Sequence, residues 1–328
     1  MEKPILIATA SNDEHTYGPV QRILNSNNYP VVVYKTDKVL SGEDQFTAGL
    51  TSNGELNVAY NGVSIAPEDI SAGWYRKVGS FQLPDAHEQL AKQLYMVNEV
   101  RAQNSALWPA YPEDVWLSSP SNLARAERKL SQLLVAHEVG FSIPETLMGS
   151  DWDAITARLL SEEAPQMALK MILGVTSQGD QLQTLFTTPL NQQQVDQLKG
   201  YTVPFPGLFQ PFIPKAREWR VTAVGEDVFP AAIHTDEEAK DDWRRLQDTP
   251  AVRFEKGVLP KGIDEQCIHY LGKMGLRFGA FDLIETPDGE VVFLECNPDG
   301  QYSWLEEELG LPISTSVASL LMRIARRA

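Results

Sequence analysis

At 328 residues with a net charge of −16, the chain is too long for one small module and too acidic to present the basic face that nucleic-acid binding requires. Hydrophobic residues make up 43% and charged residues 22%, an ordinary globular balance, and no run approaches the ~20 apolar residues of a bilayer crossing. The two cysteines, Cys267 and Cys296, exclude a disulfide framework and are too few for a thiolate zinc site, so both read as small buried residues.

The first residues, MEKPILIATAS, enter a buried strand without the basic segment and longer apolar run of a signal peptide, which makes the cytoplasm the expected location. Residues 4–10 read as that strand, 16–27 as a helix and 31–37 (VVVYKTD) as a second strand, an order that predicts a small α/β unit with a parallel sheet. Segments 44–50 and 55–60 suggest a hairpin around Ser52, Asn53 and Gly54. GWYRK (73–77) precedes a helix over about 85–107, and the Pro-rich stretch 108–120 breaks the helical pattern at the first domain boundary.

From Ser121, apolar residues at spacings of three and four (Leu123, Ala126, Leu130, Leu133, Leu134) predict a helix, with Ser121 as its N-cap and Gly140 as its stop. A short strand follows at 144–148, then a helix near 151–162. MALKMILG (167–174) reads as a strand running into a loop of small residues at 174–180, with 182–188 pairing back onto it and a polar helix over 191–199. Strands are expected at 207–213, 218–225 and 227–234, then a charged stretch at 235–248, a helix over 263–275 and a closing helix over 313–327.

The informative segment is 278–301. Thr286-Pro287-Asp288-Gly289 has proline set for the first turn position and glycine for the left-handed one, which makes 278–285 and 290–297 antiparallel neighbours. Glu295 and Asn297, two apart, share a strand face, and the turn register sets Asp282 about one residue diagonal from opposite Glu295. Three oxygen donors converging there suit magnesium, which keeps the rest of its shell for waters and substrate phosphates. The alternative is three polar residues on an exposed face; the apolar neighbours Phe281, Leu283, Phe293 and Leu294 argue for a buried setting, where unpaired carboxylates are costly.

ECNPDGQYSWLEEELGLPIS (295–314) closely resembles the closing motif of the microviridin-type peptide ligases, ATP-grasp enzymes that make graspetides. The resemblance extends through WYRK (74–77), 128–146, 209–225, DWRR (242–245) and 274–282, in order along nearly the whole chain. Members of this family cyclise a ribosomally made precursor by joining Asp or Glu side chains to Ser or Thr as esters, or to Lys as amides. The resemblance implies an α/β (α+β) ATP-grasp fold with a pre-ATP-grasp α/β domain over 1–117, a central subdomain over 118–208 and a carboxy-terminal subdomain over 209–328. It implies ATP and two Mg2+ ions as cofactors, a precursor peptide of leader and core as partner, and a homodimer, with neither nucleic acid nor membrane.

Residue by residue, Lys129 and Lys170 resemble the two lysines that reach the ATP phosphates, and 174–180 the flap that closes over them. Gln210, Phe212 and Ile213 match the adenine hinge. Pro211 lacks an N–H, so the amide contact there falls to Phe212 or Ile213. Glu218 and Arg220 match the Glu-x-Arg pattern lining the nucleotide and acyl-phosphate pocket, with Arg220 neutralising the transferred phosphoryl group; a surface ladder pair is the alternative. Asp282, Glu295 and Asn297 take the metal. Asp242 and Arg244 match an element that engages the peptide, with a solvated loop as the plain alternative. Arg76 matches a recurring first-domain motif assigned to substrate, although a structural cation stacked on an aromatic explains it equally well.

His15, His87, His137, His234 and His269 form no pair with ligand spacing, and no Gly-x-Ser-x-Gly, P-loop lysine or His-Glu-x-x-His occurs. The expected activity is that of an ADP-forming carboxylate ligase acting within one peptide. Its rivals are an intermolecular ligase adding an amino acid to a peptide or protein, and a nucleotide-binding scaffold without catalysis.

Overall fold

Five successive buried residues, Ile5–Thr9 (β1), form the middle strand of a three-stranded parallel sheet, and a strand buried at every position needs cover on both faces. The structure, a computed structural model, describes residues 2–78, 90–162, 164–170, 175–178, 181–184, 188–201, 206–236 and 249–327. Helix α1 (Glu14–Ser26) returns the chain to β2 (Val31–Lys35), parallel to β1. A short helix, α2 (Thr36–Ser41), leads to the antiparallel pair β3 (Phe46–Leu50) and β4 (Leu56–Tyr60), with Gly54 at φ +85° in the turn and β5 (Val63–Ser64) beside β4. β6 (Ala72–Tyr75) completes the parallel sheet on the other side of β1, and α3 (Leu90–Leu107) follows.

The helix expected from Ser121 is two helices. Ser119 is the cap, its Oγ accepting from the Asn122 N–H at 3.3 Å, and Pro120 opens α4 (Pro120–Ala126) at the first helical position, where a missing N–H costs nothing. Arg128 is extended (ψ 110°) and interrupts the helix before α5 (Lys129–Glu138); Gln132 Nε2 donates to the freed Ala126 carbonyl at 2.6 Å.

Next come β7 (Leu147–Gly149), α6 (Trp152–Leu159) capped by Asp151, β8 (Met167–Lys170), β9 (Val175–Gln178), β10 (Gln181–Thr184), β11 (Thr188–Leu190), α7 (Gln192–Tyr201) and β12 (Gly207–Pro211). β11, β8, β12 and β7 form an antiparallel sheet in that order. The region read as a loop at 174–180 is, in its described part, strand β9, paired with β10 and not with β8; β-branched Val175 and Thr176 favour the extended form.

The last third forms a five-stranded antiparallel sheet from β13 (Arg217–Val224), β14 (Asp227–Thr235) and β15 (Val252–Lys256), then, after α8 (Ile263–Met274), β16 (Phe278–Glu285) and β17 (Val291–Asn297), followed by α9 (Ser303–Leu309) and α10 (Ile313–Ala325). β15 and α9 have no counterpart in the sequence reading. One face of this sheet packs Trp219, Val221, Phe281, Leu283 and Phe293 on Cys267, Tyr270, Leu271 and Met274 of α8. On the other face Val224, Ala231 and Phe278 meet Ile313, Val317 and Leu321 of α10, which also packs on Ile5, Ile7 and Trp74 of the parallel sheet. α10 is thus a layer shared by two sheets. Among the described residues, no helix is long and apolar enough to cross a membrane.

Gly73 shows how tightly the parallel sheet is packed. A Cβ there would lie 2.5 Å from the Trp116 ring, itself fully buried among Tyr75, Trp108 and Tyr111. Gly73→Ala is expected to destabilise the protein by about 1–3 kcal/mol through overpacking. Urea unfolding checks this: the midpoint should fall at unchanged slope, and an unshifted midpoint would contradict the packing.

Candidate active site

The site starts from a turn whose sequence dictates its shape. Gly289 sits at φ +87°, its N–H donates to Thr286 O at 2.9 Å, and the Thr286 N–H donates to Glu290 O at 2.9 Å. Pairing then proceeds as Glu285↔Val291, Ile284↔Val292 and Leu283↔Phe293. Regular continuation would set Asp282 against Leu294 and turn Glu295 toward the core. A bulge instead pairs Asp282 with Glu295, with Leu294 as the extra residue. Because strand side chains alternate between faces, one inserted residue reverses the facing of everything beyond it. Glu295 and Asn297 therefore share the face of Asp282, and Glu295 lies directly opposite it, not on the expected diagonal. Phe293 and Cys296, three apart, both stay in the core.

Arg220 faces Asp282 from β13, with Nη1 donating to Oδ1 at 2.7 Å. On the far side, Glu295 meets the Lys129 ammonium. Lys129 is the first residue of α5, which lies along the β17 edge; Gln132 Oε1 accepts the edge N–H of Cys296 at 3.1 Å. The result is a row of cation, anion, anion, cation: Arg220, Asp282, Glu295, Lys129. The two carboxylates keep 23% and 24% of their side-chain exposure, so the row is reachable from solvent. Asn297 is exposed beside it, its Oδ1 held by the Asp299 N–H at 3.4 Å. Glu218, two residues before Arg220 on the same face, meets the Lys215 ammonium, a partner that the sequence reading missed. Glu218 and Arg220 do not form the ladder pair weighed as an alternative; each is largely buried and has its own partner.

Arg76 is corrected by its surroundings. It is fully buried, with Nε donating to Asp13 Oδ2 at 2.5 Å and its guanidinium 5.4 Å from the Trp74 ring and 5.8 Å from the Tyr302 ring. It offers no surface to a peptide and is the stacked structural cation. No local signal pointed to Asp13, 63 residues away.

Lys170 ends β8, half-buried and opposite Leu208, while Gln210 is buried on β12 with Nε2 donating to Thr146 Oγ1 at 2.9 Å. The Phe212 N–H already donates to Gln166 O at 3.0 Å, so of the two amides expected to serve a hinge, this one is engaged within the sheet region. Asp242 and Arg244 lie outside the described residues.

No protein-family model matches the sequence, and no curated protein matches it either. Solved structures do. The chain superposes with a TM-score of 0.82 and 27% identity on macrocyclase MdnC bound with precursor peptide MdnA from Microcystis aeruginosa MRC, covering 98% of this chain and 99% of that one. A Chryseobacterium gregarium RiPP-associated ATP-grasp ligase, in complex with ADP and a leader and core peptide, matches at 0.83 and 25% identity over 98% of this chain and 97% of that one. The chain is an ATP-grasp ligase. Macrocyclase MdnB from Microcystis aeruginosa MRC matches at 0.75 and 27% identity over 97% and 99% of the two chains.

The ligase's donor set fits magnesium. Asp282, Glu295 and Asn297 present hard oxygens from one sheet face. Among the described residues no group of three His, Cys, Asp or Glu could hold a metal, and the donors on this face are two carboxylates and one amide oxygen. Arg220 Nε is buried with no acceptor among the described residues, a donor that an oxygen-rich ligand would satisfy. Both thiols are excluded as nucleophiles, since burial pushes Cys267 and Cys296 well above the ordinary cysteine value.

Lys77 also went unnoticed in the sequence. It is half-buried with a left-handed backbone (φ +42°) uncommon outside glycine. Burial, and then the charge of Arg76, holds its ammonium below the ordinary lysine value against the pull of Asp299 and Asp13. A lysine lowered on folding weakens the folded state at every pH where both states are protonated, and that cost fades as pH rises through the folded value toward about 10.4. Lys77→Met should therefore melt higher than the native protein at pH 7, with the gap narrowing toward pH ~10. Melting curves at both pH values check this; a constant gap would contradict it.

Proposed function

We propose that this ligase activates an Asp or Glu side chain of a ribosomally made precursor peptide and closes it onto a Ser or Thr hydroxyl or a Lys amine of the same chain. The observation that carries the reading is the row Arg220, Asp282, Glu295, Lys129 on one sheet face. Its peptide substrate is supported by full-length likeness to ligases solved with precursor, leader or core peptides.

In this reading the peptide carboxylate attacks the γ-phosphorus of ATP, the bond to ADP breaks, and an acyl phosphate forms. The hydroxyl or amine then attacks the acyl carbon, losing its proton and expelling phosphate, so each ring costs one ATP and releases the elements of one water. Asp282, Glu295 and Asn297 hold magnesium, which supplies charge neutralisation at the phosphates. Arg220 and Lys129, standing beside those carboxylates, meet the phosphate oxygens as charge moves during transfer. Lys170 adds a third cation, Glu218 shapes the pocket beside Arg220, and Gln210 with the Ile213 N–H holds the adenine edge. Asp242 and Arg244 engage the peptide. No protein nucleophile is needed, and the chain's part is positioning, electrostatics and exclusion of water. Two magnesium ions, a homodimer, a cytoplasmic setting and units at 1–117, 118–208 and 209–328 complete the proposal.

Glu295→Ala removes one metal oxygen and strips Lys129 of its partner. It should lower precursor-dependent ADP release by a factor of about 100 or more, and unchanged turnover would overturn the metal assignment. Weighing the product of the native protein with the peptide encoded beside its gene tests the rest. Loss of water within one chain supports cyclisation, whereas an added residue mass indicates an intermolecular ligase.

A further inference from the structure

Arg220 has two anchors. Nη1 donates to Asp282 Oδ1 at 2.7 Å, and Nη2 donates to the backbone carbonyl of Gln301 at 3.1 Å. The second anchor is unusual because Gln301 lies beyond the end of β17, where no ladder bond fixes the backbone. Its side chain is fixed instead. Oε1 accepts from Thr16 Oγ1 at 2.6 Å and from Arg76 Nη2 at 3.1 Å, while Nε2 donates to Asp13 Oδ1 at 3.0 Å. The preceding residue is held the same way, with Gly300 O accepting from Arg76 Nη1 at 3.3 Å. A Cβ on Gly300 would stand 2.5 Å from Ala280 Cβ and 2.9 Å from Arg220 Nη2, so this loop presses directly on the Arg220 guanidinium.

We infer that Gln301 is a positioning residue for Arg220: its side chain is seated on the buried Asp13–Arg76 pair and its carbonyl aims the guanidinium at the nucleotide site. The inference rests on the ligase reading above and adds that the amino-terminal sheet sets the direction of a phosphate-binding arginine without touching the ligand. Both oxygen lone pairs of the Gln301 amide are used, so neither rotation nor shortening of the side chain keeps the set intact. Asp13 and Arg76 are themselves fully buried, so the seat has little freedom to follow a displaced loop.

A double-mutant cycle separates positioning from mere gluing of the two sheets. The affinity of the full chain for a non-hydrolysable ATP analogue with magnesium is measured by calorimetry in the native protein, Gln301→Leu, Arg220→Ala and the double variant. Positioning predicts a loss on the order of tenfold for Gln301→Leu in the native background and less than about twofold when Arg220 is already alanine. Equal losses in both backgrounds would overturn the inference. Thr16→Val, which removes only the 2.6 Å bond, serves if Gln301→Leu does not fold. It should weaken binding by about threefold only where Arg220 is present, and unchanged affinity would overturn the inference too. Failure of the native protein to bind the analogue at all would instead sink the ligase-site reading itself, and the inference with it.

Discussion

The site depends on parity along one strand. β17 must give Phe293 and Cys296 to the core beneath the sheet while giving Glu295 and Asn297 to the opposite face, and a regular strand with period two cannot do both. The extra residue, Leu294, resolves the conflict. Sliding back into regular register would carry the Glu295 carboxylate in among Phe141, Tyr270 and Phe281, where an unpaired charge costs several kcal/mol. The hydrophobic core is therefore what holds the bulge in place. Core packing and site chemistry are one constraint, written into the four residues Phe293, Leu294, Glu295 and Cys296.

Charge is the second constraint. With a net charge of −16 the molecule as a whole repels polyphosphate, yet charges farther away than about 8 Å are largely screened at physiological salt. Nearby cations decide the matter. Arg220, Lys129 and Lys215 stand against Asp282, Glu295 and Glu218 in short ion pairs, so these three pairs balance in charge. In the proposed function a magnesium–phosphate group would bring both signs together, and the carboxylates and the cations would each find a new partner. Neither set has to be left unpaired in a partly buried place, which would be the expensive outcome.

Much of this was legible where local chemistry speaks alone. Thr286-Pro287-Asp288-Gly289 admits one turn, and the apolar run 278–285 follows it as a strand. What the residues did not disclose is whatever depends on distant surfaces. The bulge at Leu294 needs α8 on one face before it is favoured, so only the diagonal arrangement could be drawn from the turn. Small polar residues concealed β9, and charge concealed the approach to β15. The helix start fell at Ser119 and not Ser121 because Pro120 claims the first helical position, a signal that apolar spacing overrode. Lys129 was singled out by family likeness, and Lys170 by that likeness together with its place in the apolar run MALKMI, where a charge needs a partner. Arg76 was drawn into the substrate set by its motif, when its real partner, Asp13, lies 63 residues earlier, just after β1.

The placement of Arg76 also explains why two sheets that share one apolar layer need a buried ion pair. The contacts of α10 with Ile5, Ile7 and Trp74 on one side and Val224 and Phe278 on the other supply apolar adhesion, but apolar burial is nearly indifferent to small rotations. Asp13 and Arg76 contribute little net energy, because desolvation consumes most of their attraction. Their contribution is direction. A guanidinium gripped by a carboxylate and stacked between Trp74 and Tyr302 fixes the amino-terminal sheet to within a hydrogen bond of Gly300 and Gln301, and so of Arg220. Replacing the pair with a well-packed apolar couple would preserve adhesion and lose that aim, which is the sense in which a thermodynamically unprofitable ion pair belongs in this core.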